Sequence, residues 1–147
     1  MNGFSQAEHE LIDAARVARL ATADTGGRPH LVPVCFVLDG GCLYSVIDNK
    51  PKASARGLKR LRNIAANPEV ALLIDHYHED WLRLAYLLVQ GRAALVESAG
   101  EYSAALDALR FKYPQYHGQE LSAAANPLLR IAPTAKHYWA AVSATRP

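Results

Sequence analysis

The residues whose types and spacing could do chemistry are concentrated in one stretch, NKPKASARGLKRLRNIAANP. Six of the 16 basic residues, Lys50, Lys52, Arg56, Lys59, Arg60 and Arg62, fall inside it, and no acid occurs between Asp48 and Glu69. On a helix turning about 100° per residue, Arg56, Lys59, Arg60 and Asn63 share one face, while Leu58, Leu61, Ile64 and Ala65 take the opposite one. A surface helix that needs only solubility mixes Glu with Lys, because clustered cations repel by roughly a few tenths of a kcal/mol per pair unless an anion sits between them. The block therefore points to an anionic partner. Pro51 stiffens a connection carrying Lys50 and Lys52, and Ser54 with its neighbouring amides opens the helix, a favourable place for a phosphate. A phosphorylated small molecule suits so compact a patch. Nucleic acid suits it less, since single-strand readers interleave basic residues with exposed aromatics and this block has none.

Other constellations say less. In DHYHEDW, His76 and His78 would project on one side of a strand beside Asp75, Glu79 and Asp80, a conceivable metal site but more simply a polar turn, and no metal is assigned. Ser45, Ser54 and Cys35 have neither a G-x-S-x-G motif nor a local histidine, so no catalytic residue is assigned. Gly26-Gly27 and Gly40-Gly41 read as hairpin turns rather than phosphate loops. Trp81, Tyr86, Tyr138 and Trp139 lie on or beside strands, and Trp139 in particular could wall a planar ligand.

The elements that must position these residues follow from periodicity. Ser5 and Glu8 have capping-box spacing, which predicts a helix over 6–17. RLATA, HLVPVCFVL and CLYSVI, separated by Gly turns, predict a three-stranded meander, with Pro33 marking an edge. A lone crossover helix over 54–66 is followed by the strands EVALLIDHY and LRLAYLLVQGRAALVE, the second bent at a bulge on Gly91. A helix over 99–112, an irregular stretch over 115–127 and two closing strands, LLRIAP and KHYWAAV, complete the chain. Strands with singly inserted helices indicate an antiparallel barrel, mainly β with helices (α+β), and not a doubly wound sheet. The 147 residues, half of them hydrophobic and with a net charge of +2, read as one domain over 1–147 with no global basic coat. No apolar run approaches the roughly 18 residues of a membrane span, and the polar start is not a signal peptide, so the expectation is cytoplasmic, without membrane or nucleic acid as partner. Cys35 and Cys42 flank a hairpin in the wrong register for a disulfide and read as small buried hydrophobes.

Taken together, VARLATADTGGRPHLVPVCFVLDGGCLYSVID, KPK, LKRLRNIAANPEVALLIDHY, EDWLRL and QGRAALVE resemble the pyridoxamine 5'-phosphate oxidase-like, FMN-binding split β-barrel family, and more narrowly its actinobacterial branch dependent on the deazaflavin coenzyme F-420. The resemblance runs from about Ala18 to Trp139, with RPHLVPV and NIAANPEV carrying the fold and KPK with LKRLRNI and DWLRL carrying the branch. It implies a homodimer with cofactor in a groove between subunits. It places Lys50, Lys52, Lys59, Arg60 and Asn63 at the phosphate and tail, Ser45 on the strand leading to them, and Trp139 of the partner strand beside the ring. Arg56 is left over for the tail and Trp81 as a second ring wall. The implied activity is hydride transfer between reduced deazaflavin and a small organic acceptor, the cofactor carrying the chemistry. Rivals on the same fold are an FMN-dependent oxidase or reductase and a non-catalytic flavin or haem carrier.

Overall fold

The computed structural model describes residues 1–48 and 53–142, and over 53–58 the backbone alone. Three helices, α1 (Gln6–Ala14), α2 (Ala53–Ala66) and α3 (Ala99–Lys112), accompany seven strands: β1 (Ala18–Ala23), β2 (Pro29–Val34), β3 (Val37–Asp39), β4 (Cys42–Val46), β5 (Glu69–His76), β6 (Ala85–Leu95) and β7 (Leu128–Ala140). All strands form one antiparallel sheet in the order β2-β1-β5-β6-β7-β4-β3. Its two edges, β2 and β3, are joined by Cys35 and Phe36 alone, so the sheet has to curl until those edges come together.

That arrangement corrects the predicted meander. HLVPVCFVL is not one strand: the chain leaves β2 at Val34 and pairs again, as β3, with β4 on the far edge. Pro33 does lie on an edge strand, opposite Arg19. At the seam the ladder is replaced by a side chain. The Tyr113 hydroxyl accepts from the Phe36 amide at 3.1 Å and lies 3.2 Å from the Phe36 carbonyl and 3.0 Å from that of Arg16. Phe36 itself is 1% exposed.

The interior is packed with Ile12, Leu20, Phe36, Leu72, Leu87 and Ile131 among others. A second apolar cluster joins α3, through Tyr102, Leu106 and Leu109, to Tyr44, Val46 and Leu128. Glu101 of α3 ties this layer to the sheet, taking Arg130 at 2.5 Å and the Tyr44 hydroxyl at 3.1 Å. α1 begins at the expected capping box, Ser5 Oγ accepting from the Glu8 amide at 3.2 Å, but stops three residues early because the chain must be extended at Ala15 to enter β1.

The two predicted closing strands are one 13-residue strand. Pro133 is accommodated where the β6–β7 register slips across Gln90/Gly91, the bulge expected at Gly91. Only glycine fits there, since a Cβ on Gly91 would stand 2.6 Å from the Ala132 carbonyl oxygen. No helix among the described residues is long and apolar enough to cross a membrane. Cys35 and Cys42 are free thiols, half-buried rather than fully buried.

Candidate functional site

The candidate site is built on the start of α2 and the end of β4. Ile47 donates its amide to Pro127 at 2.8 Å and accepts from Asn126 Nδ2 at 3.0 Å, which fixes where β4 ends and where Asp48 stands. Lys50 and Lys52 lie outside the described residues, as does the side chain of Arg56. Of the remaining cations of the block, Lys59 and Arg62 are exposed and Arg60 is half-buried.

Arg60 is the informative one. Its Nε is sealed from solvent and has no hydrogen-bond partner among the described residues. Burial pulls the guanidinium below its ordinary pKa, and the nearby Asp48 carboxylate draws it back up. A buried guanidinium N–H left without an acceptor costs free energy that an anionic oxygen would recover, so this atom fits a phosphate.

Two expected contacts are corrected. Asn63 is 6% exposed, and its Nδ2 donates to Thr22 Oγ1 at 3.1 Å, locking α2 onto β1 instead of facing outward with Arg60. Ser45 is 3% exposed, opposite Leu129 in the sheet. The helical wheel misleads for Asn63 because α2 lies flat on the sheet and buries an arc wide enough to reach a short polar side chain with a partner beneath it.

Two residues, Asp48 and Tyr116, were not among the predicted contacts. Asp48 is half-buried, and Tyr116 is 4% exposed in the short 3₁₀ turn Pro114–Gly118, where the Asp48 carboxylate and the Cys35 thiol act on its phenol. Burial, and then those neighbours, pushes the phenol strongly up. The signal available for Asp48 was its position as the last acid before a run of cations; Tyr116 had none.

The aromatic part lies elsewhere on the sheet. Tyr86 and Trp139 are cross-strand partners on β6 and β7, with ring centroids 5.8 Å apart and planes 26° apart, and His137 stands 5.8 Å from Tyr86. Trp139 is 43% and Trp81 68% exposed. Trp81 sits in a 3₁₀ turn, Trp81–Arg83, capped by Asp80 and leading into the sheet end where Ala141 donates to Leu84 at 3.0 Å. Among the described residues no contact joins these rings to Arg60 within one chain. The outer face of β1, β2, β5 and β6 carries a shallow depression of about 280 Å³, lined by Leu31, Leu73, Ala71 and Leu88 and flanked by the Arg19–Asp75 ion pair at 2.6 Å.

The expected polar turn at 75–81 is formed. His78 Nδ1 accepts from the Asp80 amide at 2.9 Å, and its Nε2 lies 3.1 Å from Arg83, so both ring nitrogens are engaged. Among the described residues no three His, Cys, Asp or Glu side chains gather as a metal site.

Known proteins agree with this architecture. A reductase of Streptomyces rimosus acting on 5a,11a-dehydrotetracycline and 5a,11a-dehydrooxytetracycline is 35% identical over 72 residues, which is 49% of each chain; the match thus spans about half the length of that relative. The heme storage protein HutZ of Vibrio cholerae superposes with a TM-score of 0.69 at 17% identity, covering 95% of both chains. An FAD-binding protein of Mesorhizobium loti does so with a TM-score of 0.65 at 22% identity, covering 90% of this chain and 92% of its own. Those two likenesses are of fold. With the sequence matching over residues 4–140, the chain belongs to the pyridoxamine 5'-phosphate oxidase family, as a split β-barrel.

Proposed function

We propose that the chain is a single-domain, cytoplasmic oxidoreductase that uses the deazaflavin coenzyme F-420, works as a homodimer and passes a hydride to a small organic acceptor. The observation that carries this reading is the sealed Nε of Arg60, without a partner among the described residues, within a one-signed basic segment. Similarity to a reductase over half the chain supports reduction as the reaction class, and the FAD-binding neighbour supports a flavin-like ligand on this fold. The bound cofactor would supply the hydride itself.

The chain's own residues bind and orient. Arg60 would hold the phosphate, with Lys50, Lys52 and Lys59 around it and Arg56 left for an anionic tail. Trp139 and Tyr86, stacked and half-exposed, offer a flat wall for the ring from the neighbouring subunit, with Trp81 at the same end of the sheet. The apolar face around Leu31 and Leu73 is where a second copy would sit. A close-packed interior favours a ligand in the groove that such a dimer would create.

The test is the absorbance spectrum of the purified protein, followed by side-by-side titration with the tailed deazaflavin and with FMN at low and high salt. Deazaflavin should bind more tightly and lose affinity more steeply with salt, because its tail contacts are exposed. Tighter FMN binding with flavin turnover would replace this reading by an FMN oxidoreductase, and tight binding of either without turnover of any acceptor would replace it by a carrier.

A further inference from the structure

Resting on that reading, we propose that His137 is the acid that completes the reduction: its imidazolium protonates the acceptor once hydride has arrived. A hydride carries two electrons, so an acceptor whose carbon–carbon double bond is conjugated to a carbonyl becomes an enolate when the hydride bonds to its β-carbon. The reaction closes only with a proton at the α-carbon. The bound cofactor supplies the hydride, and the proton has to come from a group beside the ring.

The strand register puts His137 beside the aromatic wall. Asp75, Tyr86 and Trp139 form one row across β5, β6 and β7, and Leu73, Leu88 and His137 form the next, so all of these side chains leave the same face of the sheet. Leu87 and Val89, both 0% exposed, leave the other. The His137 ring lies 5.8 Å from that of Tyr86 with planes 48° apart, and Tyr86 in turn stacks on Trp139, the residue read as the wall for the ring. A flat ligand lying on Trp139 and Tyr86 therefore adjoins an imidazole.

His137 is also free to act. It is exposed, and among the described residues neither of its ring nitrogens takes part in a hydrogen bond. By contrast, His78 uses both nitrogens on Asp80 and Arg83, and His117 Nε2 sits 2.9 Å from the Arg110 carbonyl. The titratable and charged groups on the face around His137 are Tyr86 from β6, Asp75 from β5 and Arg19 from β1, and the last two hold each other at 2.6 Å. Lys136 alternates to the opposite face and binds Glu8 at 2.5 Å. Imidazole exchanges protons near neutrality, which a phenol ordinarily does not. In the step, an imidazolium N–H bond breaks, its electron pair stays on nitrogen and the proton bonds to the α-carbon, after which the neutral ring takes a proton back from water. The acceptor is reduced by two electrons, the cofactor is oxidised by the same two, and its remaining proton passes to water.

The experiment compares wild type with His137→Gln, which stays polar but carries no acidic proton. In turnover of a conjugated enone with reduced deazaflavin, wild-type kcat should fall as pH rises from about 5.5 to about 8.5, and the variant should lose about a hundredfold in kcat together with that pH dependence, at unchanged cofactor affinity. A readout without turnover is the binding of naphthalene-2-sulfonate, a flat anion whose charge is fixed over this range, followed by tryptophan fluorescence. Wild type should hold it about tenfold more tightly at the acidic end than at the alkaline end, and His137→Gln equally at both. Absent binding, or an affinity flat across the range, would overturn the proposal on wild type alone. So would a variant that keeps the pH dependence of turnover, or loss of that dependence in Tyr86→Phe instead. Protein that binds neither deazaflavin nor FMN would end the oxidoreductase reading and this role with it, whereas cofactor binding with an unmoved pH profile would end this role alone.

Discussion

At the level of single residues, Arg60 is half-buried with an Nε that finds no acceptor among the described residues. Arg60→Ala should weaken cofactor binding by about 1.5 to 3 kcal/mol, the size of a charge-assisted hydrogen bond, while the melting temperature of the ligand-free protein stays level or rises. Loss of stability with unchanged binding would make the residue structural. Lys112 gives a second case. Its ammonium lies 3.8 Å above the Phe36 ring and donates to the Ile12 carbonyl at 2.9 Å, and burial lowers its pKa from 10.5 to about 8. A lysine depressed in the fold binds fewer protons there than in the unfolded chain, so its contribution to stability grows as pH rises from about 8 toward 10.5. Denaturant melts at pH 7.5, 9 and 10 should show wild type gaining on Lys112→Met across that window; a constant difference would refute it. Of the site, the cationic block was legible in the sequence because charge segregation needs no structure to be seen. Asn63 and Asp48 were not, since their roles depend on Thr22 and Tyr116, which lie 41 and 68 positions away along the chain and come close only through the fold.

At the level of elements, periodicity located α2, α3, β5 and the Gly91 bulge well, as each is a local pattern with its own start and stop residues. It failed at the β2–β3 seam. HLVPVCFVL is continuously apolar because Val34 and Phe36 are both buried in the same core, and burial on either side of a break looks the same as burial along one strand. It failed again at Pro133, a residue that ordinarily ends a strand but here sits opposite a bulge. The seam yields a prediction. Tyr113→Phe removes the hydroxyl that accepts from the buried Phe36 amide and should cost about 1 to 3 kcal/mol in urea unfolding. A cost near zero would mean that the seam closes on its own.

For the molecule as a whole, the proposed homodimer would use the exposed apolar face of the curled sheet. Leu31 is 65% and Leu73 36% exposed around the same depression. Leu31→Glu should shift sedimentation toward the monomer at micromolar concentration and reduce cofactor affinity together with it, because the aromatic wall would come from the neighbouring subunit. A monomeric variant that still binds cofactor normally would place the entire site within one chain.

The Tyr113 hydroxyl at the seam also serves as a reporter of motion. Most core amides are protected by strand neighbours and exchange with solvent deuterium only when the sheet opens. The Phe36 amide is protected instead by a side chain at the C-terminal cap of α3. Detachment of that helix alone would release it. Phe36 should therefore exchange faster than Leu20 or Leu72, at a rate shared with the amides of α3, and its exchange alone would register how often the α3 layer lifts off an otherwise intact barrel.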